Sequence, residues 1–100
     1  MAEIFLEKKD GQVLATPFIC SVKIKETVVF KTRQDDSFTL NIKNDDKFFN
    51  DSFSSTPVTP AQEVVYTVGT QKAVLQKSYT VTAASGGSTA APPRIIITTN

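Results

Sequence analysis

A chain of 100 residues with no histidine lacks the usual general base at neutral pH, which is also the commonest metal ligand. Its one cysteine, Cys20, could act as a nucleophile only if exposed and activated by a nearby cation. In Phe18-Ile19-Cys20-Ser21-Val22 the even positions are apolar, so a buried, inert thiol is expected. The pairs Asp35-Asp36 and Asp45-Asp46, with Asn44, Asn50 and Asp51 near the second, are oxygen donors of the kind calcium takes. No Asp-x-Asp-x-Asp-Gly loop accompanies them, and acidic residues populate the turns of any β protein, so solvated turns are the preferred reading. Phe48, Phe49 and Phe53 could stack bases, but Asp45, Asp46 and Asp51 beside them would repel a phosphate backbone. These phenylalanines read first as a cap on the core. If partly exposed they would anchor a protein partner, which makes Phe48, Phe49 and Phe53 the candidate partner-binding residues. Gly86-Gly87 lacks the rest of a phosphate-binding loop. No catalytic, cofactor-binding or metal-ligating residue emerges, and no cofactor is expected.

Charge narrows the partners. Eleven basic and ten acidic residues leave a net charge of +1, without the clustered excess of Lys and Arg that neutralising several phosphates requires. Nucleic acid is therefore not an expected partner. No apolar run approaches the length of a membrane-spanning helix, and the first nine residues lack the pattern of a signal peptide. No membrane association and a cytoplasmic location are expected. A lone cysteine forms no internal disulfide, so the core must hold the fold unaided. At 10.9 kDa one domain spanning residues 1–100 is expected, burying about two-thirds of its unfolded surface.

The elements that position these side chains read as strands. In Asp36-Ser37-Phe38-Thr39-Leu40-Asn41-Ile42-Lys43, apolar and polar residues alternate, placing Phe38, Leu40 and Ile42 on one face. That face must be covered by a second sheet. Further strands are expected from Glu3 to Lys8, Val13 to Ala15, Phe18 to Lys25, Thr27 to Phe30, Gln62 to Val68, Lys72 to Thr82 and Arg94 to Thr99. Asp10-Gly11 signals a tight turn between the first two. The stretch from Asn44 to Pro60 reads as the longest loop, with Thr59 to Glu63 able to begin a short helical turn, and Ala83 to Pro93 as a flexible connection. Seven or eight short strands with regular turn signals make an all-β sandwich or barrel the expected fold.

Val28-Val29-Phe30 followed by Asp36 to Ile42, and Tyr79-Thr80-Val81 followed by a loop and Pro93-Arg94-Ile95-Ile96-Ile97, resemble the order of motifs in cupredoxin-like domains. The likeness spans about residues 22 to 99 and is nearest to small bacterial members without copper. The resemblance implies a Greek-key sandwich whose copper loop corresponds to Ala83 through Pro93. Blue-copper sites need two His, a Cys and usually a weak axial Met. This loop offers Ser85, Ser88 and Thr89 instead.

The expected role is a non-enzymatic binding or structural module acting through protein contacts, with a protein partner or a second copy added at a sheet edge. The alternative is a small-molecule-binding protein or an enzyme whose Asp, Lys and Tyr side chains are brought together by folding.

Overall fold

Asp10 and Gly11 both adopt positive φ, 53° and 79°, the backbone that a two-residue type I′ hairpin demands and that Gly supplies without strain. They join β1 (Ala2–Lys9) to β2 (Gln12–Thr16), fixing a register in which Lys9 faces Gln12. This computed structural model describes residues 1–43, 48–50, 55–70 and 76–98. Within them follow β3 (Ile19–Val22), β4 (Thr27–Lys31), β5 (Phe38–Asn41), β6 (Ser55–Val58), β7 (Val64–Thr67), β8 (Gln76–Ser78), β9 (Thr80–Ala83) and β10 (Arg94–Ile97).

One layer has the order β2-β1-β4-β7, with β1 and β4 parallel. The other is built from β3-β10-β8 and β6-β5-β9. Only Tyr79 separates β8 from β9, so one chain segment pairs first with β10 and then, on its opposite side, with β5. The second layer therefore runs β3-β10-β8/β9-β5-β6. The chain changes layer after β2, at a cis Thr16-Pro17 bond.

Both layers turn alternate residues inward. Ile4 and Leu6 of β1, Val28 and Phe30 of β4, Phe38 and Leu40 of β5 and Ile95 and Ile97 of β10 join one buried cluster. Phe30 stands near its middle, with Tyr66 at 5.9 Å and Tyr79 at 5.5 Å, both edge-on. Tyr66 in turn meets Phe49 at 5.3 Å, and Phe49 meets Phe48 at 5.0 Å. Edge-on pairs at such distances each add about 0.5–1.5 kcal/mol beyond their burial.

Among the described residues ten strands replace the seven or eight expected, for two reasons. The long run from Lys72 is divided at Tyr79, and part of the stretch read as loop pairs with β5 as strand β6. Where a helical turn was expected, Thr59 and Gln62 instead exchange two backbone hydrogen bonds, of 3.2 and 3.0 Å, around Pro60-Ala61. The loop from Ala84 to Pro93 is not a loose connection. Thr89 donates its N–H to Val81 O at 3.0 Å and accepts from Val81 N–H on its hydroxyl at 3.3 Å.

Leu40 is almost fully buried at the centre of β5. Leu40→Ala should cost about 2–5 kcal/mol, read as a lower denaturant midpoint with an unchanged slope. A loss below about 0.5 kcal/mol would mean the side chain is not in the core.

Candidate functional site

Phe48 and Phe49 do not project as anchors: each is 1% exposed. Phe49 bridges Val68, Gly69 N–H donates to Phe48 O at 2.8 Å and Asn50 N–H to Thr67 O at 2.9 Å. These backbone bonds lay the segment along β7 and turn both rings into the core, where burial outweighs the polar neighbours in the sequence. Phe53 and the Asp45-Asp46 pair lie outside the described residues.

Cys20 is 5% exposed and unbridged. Burial first, and then the Glu26 charge, raise its thiol pKa, the opposite of what a nucleophile needs. Tyr79 is 2% exposed and its hydroxyl has no hydrogen-bond partner among the described residues. Burial, then proximity to Cys20, moves its pKa well above the ordinary range, so the phenol stays neutral. A buried hydroxyl without a partner destabilises. Tyr79→Phe should therefore leave thermal stability unchanged or raise it by up to about 1 kcal/mol; a clear drop in Tm would reveal a partner for the hydroxyl.

One polar cluster is assembled by folding. Ser85 Oγ donates to Asp36 Oδ2 at 2.7 Å and accepts from Lys8 Nζ at 3.3 Å. Asp36 Oδ1 accepts from Ser37 N–H at 2.8 Å, and Ala84 N–H donates to Ser37 O at 2.8 Å. Beside them Gln34 completes the edge of β1, accepting from Lys8 N–H at 2.7 Å and donating to Lys8 O at 3.0 Å. The cluster ties the loop after β9 to the entry of β5. The Ser85 hydrogen bond, followed by that of Ser37, holds the Asp36 carboxyl below its ordinary pKa, so Asp36 is a weaker base than a free carboxylate. Among the described residues no three His, Cys, Asp or Glu side chains converge as a metal site would need.

The sheet edges differ more than the faces do. β2 is bridged by Thr89, and β7 is continued at its end by the Phe49–Val68 bridge. β6 carries Pro57, which removes an edge amide. β3 has neither device. Arg94 N–H donates to Phe18 O and Thr98 N–H to Val22 O, so the even residues of β3 spend their backbone groups on β10. The groups of Ile19, Ser21 and Lys23 then point outward, away from the sheet. Lys23 is closed by Glu26, whose side chain accepts from Lys23 N–H at 2.9 Å and whose N–H donates to Lys23 O at 3.1 Å. Among the described residues nothing pairs with the outward groups of Ile19 and Ser21. Around them are apolar side chains held in solvent: Phe18 at 46%, Ile19 at 43% and Ile24 at 38% exposed. Sequence alternation located this strand, but only the fold shows which strand ends at an edge.

Glu26 also takes the N-terminal ammonium at 3.3 Å. Its pKa is lowered, chiefly by the Lys23 N–H. The sign is the same for Asp36 and Glu26: stability gained above the ordinary carboxylate range is lost as pH falls through the depressed folded values. Asp36→Asn and Glu26→Gln should each make unfolding midpoints less steeply dependent on pH below about 4. An unaltered acid slope in both variants would contradict these assignments.

No protein-family model and no curated protein sequence matches this chain. Among solved structures it is similar to a purple cupredoxin from Nitrosopumilus maritimus, with a TM-score of 0.61 and 10% identity over 98% of this chain and 100% of that one. The fold is thus cupredoxin-like and all-β. The copper that this fold commonly holds does not suit the residues present. The loop between β9 and β10 has hydroxyls and no soft donor, the sequence has no His, and its one Cys is buried in β3. A trigonal nitrogen and sulfur site cannot be assembled from them.

Proposed function

We propose that this protein is a non-enzymatic β-sandwich module that works through protein contacts, and that its contact surface is the open edge of β3. The observation carrying this reading is the pair of outward backbone groups on Ile19 and Ser21, set between the exposed side chains of Phe18 and Ile24. Unpaired strand groups supply main-chain hydrogen bonds to an added strand, and flanking apolar side chains supply burial. Of the other described edges, β2 is bridged at Val13, β6 is interrupted by Pro57 and β7 is bridged at its end.

An enzyme or small-molecule binder would draw on Lys8, Ser85 and Asp36. That cluster lies at the surface, and Asp36 is held ionised by the bonds it accepts rather than poised near neutral pH, where a general base works best.

Selection of peptides from a random display library tests the reading. Binders should slow amide exchange at Ile19 and Ser21, and a folded Phe18→Ser, Ile19→Ser variant should bind them at least tenfold more weakly. Binders that protect other surfaces, with these two amides unaffected, would overturn it.

A further inference from the structure

The chemistry of a partner is written in the charges around this edge. On the outer side of β3-β10-β8 the register forms two rows, Ile19 beside Arg94 beside Ser78, and Ser21 beside Ile96 beside Gln76. Lys23 closes one end of β3 and exposed Lys25 follows it. None of these residues is acidic. The carboxylate of Glu26, three positions after Lys23, is already shared between Lys23 N–H and the N-terminus. The outer face of the other layer is different: there Lys31 pairs with Glu3, and Phe5 lies under Lys31 and Arg33 at 5.1 and 4.6 Å. Its cations are answered from within the chain, whereas Arg94 and Lys23 form no side-chain ion pair among the described residues.

A strand added at β3 would lie about 5 Å from it and about 10 Å from β10. At that distance the long side chain of Arg94 spans Ile19 to reach the newcomer, and Lys23 adjoins its end. The side of the added strand facing outward thus meets Arg94 and Lys23 together with Ile19, and its other side meets the apolar rim at Phe18. From this geometry we infer that the β3 edge takes an extended segment in which acidic and apolar residues alternate, the acids toward Arg94 and Lys23. This rests on the edge reading above and names its partner class. A second copy of the chain fits less well, because it brings the same uncompensated cations to the edge.

The test is a titration of the full chain with three labelled eight-residue probes, followed by fluorescence anisotropy and by amide exchange at Ile19 and Ser21. The probes alternate valine with glutamate, with lysine and with serine. The glutamate peptide is expected to bind at least tenfold more tightly than the other two and to protect both amides. Its affinity should fall at least tenfold in 0.5 M salt or against Arg94→Gln, Lys23→Gln, two surface changes that leave the ladder to β10 intact. N-methylation of its alternate amides should abolish binding, a control that leaves the protein untouched. If the lysine or serine peptide binds equally well with the same protection, the acidic preference is overturned and the edge stands. If the glutamate peptide binds without protecting Ile19 and Ser21, both are overturned. No binding of the glutamate peptide overturns the acidic segment, while the display selection still judges the edge.

Discussion

Phe30 is the point on which the two layers depend. It is inaccessible to solvent, stands on the central strand β4 and touches an aromatic residue from each side of the sandwich: Tyr66 from its own layer and Tyr79 from the facing one. Tyr79 is also where the strand hands its pairing from β10 to β5. The packing that joins the layers therefore acts where the second layer could most easily come apart into two sheets. Burying a ring of this size contributes about 1.5–3 kcal/mol, and the edge-on contacts fix its orientation as well as its depth. Phe49 and Phe48 extend the same aromatic line to the end of the core.

Much of this was legible in the sequence where a two-residue period met a clear turn signal. Phe38, Leu40 and Ile42 are buried as their alternation required, Cys20 lies with Val22 on the inner face, and Asp10-Gly11 makes the hairpin that its residue types favour. What stayed hidden has physical causes. Ser55 to Val58 has only one buried side chain, so no alternation marks a strand whose pairing is driven by backbone bonds to β5. The break at Tyr79 is invisible because a strand exchanging partners keeps its period. Phe48 and Phe49, by contrast, read first as a cap on the core in spite of their polar neighbours, and backbone bonds to residues near Val68 turn both rings inward.

The candidate site was less legible than the fold because edge status is a property of topology. Ile19, Ser21 and Lys23 read as the wet face of a strand, which they are, but the sequence does not say that nothing described lies beyond them. Each edge is handled by different chemistry: a threonine bridge on β2, a phenylalanine bridge at the end of β7, a proline in β6, and at β3 a single glutamate that closes Lys23. Capping one residue of an edge and leaving two open limits how long a partner strand can be. It also sets where such a strand must stop, since Glu26 occupies the donor and acceptor that a longer one would need.

The loop from Ala84 to Pro93 shows what becomes of a cupredoxin-like frame without copper ligands. A metal site at that end would cross-link the loop to strands of the sandwich, and here hydrogen bonds make comparable connections. Ser85 reaches Asp36 at the start of β5, Thr89 binds β9 and bridges β2, and Ser88 bridges Thr82. Such bonds are individually worth about 1 kcal/mol, far less than a coordinated metal. They are spread over three strands, so losing any one leaves the others in place. This end of the sandwich is thus held closed by hydrogen bonds to β2, β9 and the entry of β5.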